Sequence, residues 1–260
     1  MGKTALITGA SNGIGYELSR VHAEKGGDLI LVARSKNKLV DLKTELEDKY
    51  DVKIYVLGKD LSVPGAAKEV YDEVKEMGLT VDYLINSAGF GDYGMFIESD
   101  WDKQERMINL NITCLTQLTW LILPEMVNRG SGRILNLAST ASFQPGPTMS
   151  VYFASKAFVL YFSEAINNEV SEYGVTVTAL CPGATQSGFQ AAASMKDSKA
   201  FENNNFPTSR EVAEYGYRAM EKGRAVAIHG FKNALMANAV RFAPRSVVVK
   251  AARKVQAGKY

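Results

Sequence analysis

Short, almost wholly apolar runs recur along the chain, and a stretch with helical periodicity follows each of them. The runs lie at 5–8, 28–33, 53–57, 83–86, 134–137 and 175–180, with a shorter seventh at 225–228. The helical patterns lie at 13–25, 39–49, 66–76, 101–128, 151–173, 209–221 and 232–255, the last broken at Pro244. Runs such as Leu29-Ile30-Leu31-Val32-Ala33 do not alternate between apolar and polar residues, so both faces of each strand are covered. Strands that alternate with helices pair in parallel through crossover connections. The expected fold is therefore one α/β domain over residues 1–260, a doubly wound parallel sheet of about seven strands with helices on both faces. A chain of 260 residues, 46% apolar and 22% charged, suits one large domain of this kind. No repeat or Pro/Ser-rich linker divides it. The stretch 186–207, with Asn203-Asn204-Asn205 and several alanines, has weak periodicity and reads as a lid.

The turn between the first strand and the first helix reads Thr8-Gly9-Ala10-Ser11-Asn12-Gly13-Ile14-Gly15. Glycines at this point let the backbone turn sharply and approach a pyrophosphate, which also meets the helix N-terminus. On that reading Gly9, Ser11, Asn12, Gly13, Ile14 and Gly15 hold the phosphates of a dinucleotide. Such a loop is weak evidence alone and strong evidence between strand one and helix one of a βαβ array. The second strand ends in Val32-Ala33-Arg34-Ser35. A free ribose 2′-hydroxyl would want an acidic partner near this point. The chain instead offers Arg34, with Lys36 and Lys38 just beyond, and a guanidinium fork matches a 2′-phosphate. The expected cofactor is NADPH/NADP+. Asp60 and Leu61 follow the third strand, where the carboxylate suits either the adenine amino group or an N-cap for the next helix. Asn86-Ser87-Ala88-Gly89 ends the fourth strand, and Asn86, Ala88 and Gly89 are small enough for a cofactor to lie across them. Pro182-Gly183 ends the sixth, and Thr185 and Ser187 offer hydroxyls to a nicotinamide amide.

Tyr152 and Lys156 stand four apart in a helical pattern, so a phenol and an ammonium project from one face. The ammonium is expected to favour the phenolate and lower the tyrosine pKa, which would let Tyr152 exchange a proton with an alcohol or carbonyl near neutral pH. Ser139, thirteen residues upstream, completes a proton-transfer trio.

Taken together, these pieces resemble the short-chain dehydrogenase/reductase family over essentially the whole chain. The resemblance rests on Thr8–Gly15, on Asn86–Gly89 as a variant of N-N-A-G, on Ser139, on Tyr152-x-x-x-Lys156 and on Pro182-Gly183, all in the family's order and spacing. Ser87 departs from the usual Asn, and Ser187 from the commoner Thr. The resemblance implies a single Rossmann-like domain and an NADP(H)-dependent interconversion of a ketone or aldehyde with an alcohol, as in bacterial carbonyl and 3-oxoacyl reductases. It implies that Tyr152 exchanges the proton, that Ser139 hydrogen-bonds the carbonyl oxygen and that Lys156 also holds the nicotinamide ribose. Asn111, rather than the neighbouring Asn109, looks like the fourth catalytic residue, anchoring a water that links Lys156 to solvent. Homodimers or homotetramers built through the two long helices are the family's habit. A non-enzymatic NADP(H) sensor on the same fold is disfavoured, because such proteins tend to lose the tyrosine or lysine.

The substrate pocket is expected to be lined by Phe90, Tyr93, Phe143, Pro145, Pro147, Met149 and the 186–207 lid, a set that favours an apolar ketone or acyl chain. The formal charge of +2 gives no sign of a nucleic-acid partner. Residues 231–260 nevertheless carry seven basic side chains and no acidic one, leaving 23 basic against 28 acidic residues elsewhere, a net of −5. This basic helical segment, about 231–257, reads as a solvated face or as a landing surface for an anionic membrane or an acidic carrier protein. An acyl group on such a carrier is the alternative substrate. Cys114 and Cys181 each lie in an apolar segment and read as buried thiols, with no metal-type spacing. No run approaches eighteen apolar residues, so no spanning helix is expected, and with no signal-peptide pattern the expected location is the cytoplasm.

Overall fold

Seven parallel strands build the sheet of the computed structural model, which describes residues 3–187 and 206–256. They are β1 (Ala5–Thr8), β2 (Leu29–Ala33), β3 (Ile54–Gly58), β4 (Tyr83–Asn86), β5 (Gly132–Leu137), β6 (Val175–Cys181) and β7 (Val226–Ile228). Their order in the sheet is β3-β2-β1-β4-β5-β6-β7. The helices are α1 (Gly13–Ala23), α2 (Lys36–Lys49), α3 (Ala66–Glu76), α4 (Trp101–Ile108), α5 (Leu115–Asn128), α6 (Ser150–Val170), α7 (Ser209–Glu221), α8 (Phe231–Ala239) and α9 (Arg245–Gln256). This is the Rossmann-like doubly wound architecture expected from the sequence.

Neighbouring residues of one strand feed two different cores, because side chains alternate across a strand. Ile7 and Leu31 pack with Leu18 of α1, Leu42 of α2 and Met220 of α7 on one face. Leu6 and Ile30 pack with Val70 of α3 and with Leu118 and Ile122 of α5 on the other. All of these side chains are buried, which explains why the strands read as unbroken apolar runs. Cys114 and Cys181 are free thiols buried in the same layers, and burial pushes both up to about 12.

β1 lies in the middle of the sheet, paired with β2 on one side and β4 on the other: the chain winds outward from β1 through β2 to β3, then crosses back to β4 and winds outward the other way. A crevice opens at the carboxyl ends of the strands at such a reversal.

Two expectations need correction. The pattern at 101–128 is not one regular helix, because Asn109–Cys114 form a π-helical segment between α4 and α5. The stretch Trp101–Asn128 is also long and apolar enough to cross a membrane by length and composition, although no single run is wholly apolar. Its buried side, including Leu115, Leu118, Ile122 and Met126, packs inside the protein, as the core helix of a globular domain does. Most of the expected lid, 188–205, lies outside the described residues. Its flanks meet where Gln186 N donates to Pro207 O at 3.0 Å.

Candidate active site

The crevice at the strand ends is a cleft of about 670 Å³. Its first half is built from the glycine loop and the ends of β2 and β3. Thr8 closes β1, and its Oγ1 accepts from Ser87 N and Ala88 N, each at 3.1 Å, which draws the turn after β4 against the loop. Gly9 has φ +69°, and a Cβ there would lie 2.9 Å from Ala88 Cα. A Cβ on Gly15 would lie 2.5 Å from Gly9 O. The loop therefore depends on backbone-only residues where it passes nearest its neighbours. Asn12 caps α1, its Oδ1 accepting from Gly13 N at 2.8 Å, and the helix N-terminus faces the cleft. Gly9, Ser11, Asn12, Gly13, Ile14 and Gly15 all line it.

At the far end of this half, Arg34 and Lys38 line the cleft, and the exposed Arg34 guanidinium makes no ion pair among the described residues. Asp60 and Leu61 line it too. The Asp60 carboxylate accepts from Ser62 Oγ at 2.7 Å and Ser62 N at 3.0 Å, and pairs with Arg106 at 2.9 Å. Burial pushes that carboxyl up, but the Ser62 hydrogen bonds and the charges of Arg34 and Arg106 outweigh it and hold it below its usual range. Asp60 does not cap the next helix, whose N-cap is Gly65; its carboxylate instead closes a local turn onto Ser62 at the edge of the cleft.

The second half is built from the end of β5, the start of α6 and the turn after β6. Ser139 follows β5 and caps a 3-10 turn, Thr140–Phe143. Its Oγ accepts from Ala141 N at 3.1 Å and hydrogen-bonds the Tyr152 hydroxyl. Lys156 is 5% exposed and donates from Nζ to Leu137 O at 2.6 Å. Its Nζ stands 5.8 Å from the centroid of the Tyr152 ring. Burial pushes Lys156 down to about 8. The expected lowering of the tyrosine pKa by the ammonium does not result, because burial pushes Tyr152 up to about 12 and the Ser139 hydrogen bond only partly opposes it. Pro182, Gly183, Thr185 and Ser187 complete this wall, with Thr185 Oγ1 donating to Gly183 O at 3.0 Å.

Two expected site residues stand elsewhere. Asn86 does not line the cleft. It is buried, its Nδ2 donating to Asn136 Oδ1 at 2.9 Å and to Thr119 Oγ1 at 3.3 Å, and Asn136 donates on to Ser163. Strand alternation gives Asn86 the same face as Leu84, toward α5, while Ser87, Ala88 and Gly89 reach the cleft. Asn111 sits one layer behind the wall, inside the π-helical segment. Its Nδ2 donates to Phe90 O and Ser155 Oγ, both at 3.0 Å, and its Oδ1 accepts from Phe90 N at 3.2 Å. A Cβ on Gly89 would fall 3.0 Å from that Oδ1 and 3.5 Å from Lys156 Nζ, so Gly89 makes room for both.

The substrate end differs more from expectation. Phe90 and Met149 line it, whereas Phe143 packs into a separate core with Val159 and Leu160. Tyr93, Pro145 and Pro147 do not line it; Tyr93 packs by Ala141 and Met149, and its hydroxyl donates to Gln256 O at 3.0 Å. Asn233 and Met236 of α8 and Val255 and Gln256 of α9 close this end instead. Sequence reading missed them because only a long-range contact brings that segment over the cleft. Gln256 is buried, and its Oε1 accepts from Thr148 Oγ1 at 3.3 Å. Thr148 has φ +68°, an unusual backbone for a β-branched residue, at the rim of the substrate end.

A glycine-loop cleft at the reversal of a parallel sheet, with a serine, a tyrosine and a lysine on its opposite wall, defines a dinucleotide-dependent α/β protein. The donor set and the Cβ-free cradle at Gly9 and Gly15 fit a nicotinamide dinucleotide. Residues 3–198 match the family model for short chain dehydrogenase, and the chain belongs to that family. The very-long-chain 3-oxoacyl-CoA reductase of Anas platyrhynchos is 36% identical over 190 residues, covering 70% of this chain and 59% of the relative. Its Homo sapiens counterpart is 32% identical over 188 residues with the same coverage. The chain thus spans 59% of the length of these relatives. A short-chain dehydrogenase from Sphingobium yanoikuyae, solved in complex with NADPH, is 33% identical with a TM-score of 0.84 over 99% of each chain. The bulky-bulky ketone specific alcohol dehydrogenase from Comamonas testosteroni is 29% identical with a TM-score of 0.79 over 92% of each chain.

Proposed function

We propose that this protein is an NADP(H)-dependent oxidoreductase that reduces an apolar ketone or aldehyde to an alcohol. The observation that carries this is the hydrogen-bonded Ser139–Tyr152 pair, with Lys156 behind it, facing the glycine loop across one cleft. The cofactor supplies hydride chemistry. The chain's own residues bind, orient and move a proton. Tyr152, pushed up to about 12, is protonated at neutral pH and is a proton donor in place for a carbonyl oxygen. Ser139, steadied by Ala141 N, offers a second hydrogen bond to the same oxygen as negative charge develops there. Lys156, near 8, is mostly charged at neutral pH and stabilises that charge from behind the tyrosine. Arg34 is the expected partner of a 2′-phosphate, and the NADPH complex of the Sphingobium neighbour supports this cofactor.

A 3-oxoacyl thioester is the second reading of the substrate, favoured by the 36% identity to a 3-oxoacyl-CoA reductase. An apolar shelf on α5 and α6, with Trp120 and Phe158 exposed, supports a homodimer or homotetramer through those helices.

The test is NADPH oxidation, followed by the loss of reduced-nicotinamide absorbance, across aryl and alkyl ketones, aldehydes and 3-oxoacyl-CoA esters of graded length. Turnover of ketones is expected. Turnover of 3-oxoacyl esters alone would select the second reading, and no turnover of any carbonyl would overturn both.

A further inference from the structure

The all-basic C-terminal segment folds as α8, a 3-10 turn Val240–Phe242, and α9. α9 seats on the body through one narrow stripe, Val248, Ala252 and Gln256, spaced four apart. Lys232, Arg241, Arg245, Lys250, Arg253 and Lys254 are all exposed. None of the six has an ion-pair partner among the described residues, whereas Lys59 pairs with Glu69 and Glu73 and Arg210 pairs with Glu17, Glu24 and Glu214.

Large apolar side chains face outward between these cations. Phe231 is 83% exposed and Phe242 90%. Leu235, Met236, Val247, Val249 and Val255 are exposed as well, so seven of the 17 exposed large apolar side chains among the described residues fall in this one segment. Exposure concentrated in this way marks an interaction surface rather than scattered surface hydrophobics. A merely solvated basic helix would not need Phe231 and Phe242. An acidic protein would match the cations and leave the phenylalanines unanswered. A bilayer with anionic headgroups meets both, taking the cations at the headgroup level and the apolar side chains at the acyl boundary. Met236 and Val255 are exposed and also line the cleft, so the patch runs up to the cleft mouth.

We infer that the α8–α9 segment docks on an anionic lipid membrane, with the mouth of the cleft at the lipid interface. The further consequence, that an apolar carbonyl reaches the cleft from the bilayer, rests on the proposed function, but the docking itself does not.

Flotation with vesicles tests the docking without turnover. The protein is expected to float with phosphatidylcholine vesicles containing phosphatidylserine, to bind pure phosphatidylcholine vesicles weakly, and to be released by added salt. Lys250→Glu/Arg253→Glu is expected to weaken binding to the anionic vesicles more than about tenfold. Phe242→Ser is expected to weaken it at every salt concentration. None of these residues lines the cleft, so consumption of NADPH with a small water-soluble ketone is expected to stay at the unsubstituted level. Equal binding to both kinds of vesicle, or binding that ignores both variants, overturns the inference. So does a lack of binding to the phosphatidylserine vesicles; capture of an acidic acyl carrier protein would then make that protein the occupant, and a Phe242→Ser shift in sedimentation a second copy.

Discussion

Lys156 donates from Nζ to the carbonyl oxygen of Leu137 at 2.6 Å, which fixes a buried ammonium at the end of β5, two residues before Ser139. Burial lowers its pKa from 10.5 to about 8, so holding the charge at neutral pH costs on the order of 3 kcal/mol of folding free energy. The unfolded chain binds the extra proton between those two values. The cost is therefore complete below about 8 and fades as pH rises toward 10.5. Lys156→Met removes the charge but leaves Leu137 O unpaired, for a net gain of about 1–2 kcal/mol at neutral pH. The check is a denaturation series against pH. A higher Tm than the unsubstituted protein is expected at pH near neutral, and a lower one in alkali, where the charge cost is gone and only the unpaired Leu137 O remains, with turnover abolished. A lower Tm at neutral pH would contradict the burial argument.

Tyr152 and Ser139 are expected to separate chemistry from binding. Tyr152→Phe removes the proton donor and should lower kcat by about 10²–10⁴. Ser139→Ala removes one stabilising donor and should cost about 10²–10³. Both should leave the Kd for NADPH, followed by fluorescence, within about twofold, because neither contributes a charge to dinucleotide binding. Parallel losses in kcat and NADPH affinity would mean that the cleft itself had collapsed.

Much of this site was legible because its parts are local. The glycine loop, Arg34 and the Tyr152–Lys156 pair each depend on a few consecutive residues and on their place after a strand or within a helix. What the sequence hid depends on the third dimension. Asn86 stands at the right strand end, yet the alternation it shares with Leu84 turns it toward Asn136 and Thr119. The π-helical widening around Asn111 has no composition signal, and the segment reads as ordinary apolar helix. Gln256 and Met236 reach the cleft only because α8 and α9 fold back over it. The tyrosine pKa was misjudged for a related reason, since spacing reveals a neighbouring charge but not the burial that outweighs it.

Arg34 carries the cofactor preference. Arg34→Asp replaces the charge that would meet a 2′-phosphate with one that repels it, and a charge-assisted bidentate contact of this sort is worth about 1.5–3 kcal/mol. The KM for NADPH should rise by about 10²-fold or more. The KM for NADH should change little or fall, since the new carboxylate can accept from a 2′-hydroxyl. Steady-state kinetics with both cofactors decide this, and equal losses would rule out a 2′-phosphate contact.

The Asn86 network predicts a defect of stability rather than of binding. Asn86→Ala strands Asn136 Oδ1 in the core, beside a Thr119 that still bonds Leu115 O. Leaving Asn136 Oδ1 unpaired costs about 1–3 kcal/mol, and loss of Asn86 Oδ1, itself buried with no hydrogen-bond partner among the described residues, offsets part of that. Urea denaturation should show that loss, with the KM for NADPH unchanged in the folded protein. A raised KM at normal stability would return Asn86 to the cofactor site.

Gly9 and Gly26 allow strain and crowding to be told apart. Both have left-handed backbones, with φ +69° and +75°. A side chain at either position pays about 1–2 kcal/mol for that conformation. At Gly26 a Cβ meets nothing within 4 Å, so Gly26→Ala should lose that amount and no more. At Gly9 the Cβ meets Ala88 Cα and N, both at 2.9 Å, and Ala88 cannot retreat without breaking its bond to Thr8 Oγ1. Gly9→Ala should therefore lose more stability than Gly26→Ala, with a Tm lower by several degrees at about 2–4 °C per kcal/mol. It should also displace the turn that borders the phosphate loop and weaken NADPH binding, whereas Gly26→Ala, at the far end of α1, should not. Thermal denaturation and NADPH titration of the two variants side by side test this, and equal behaviour in both assays would show that the approach of Gly9 to Ala88 is not what shapes the cleft.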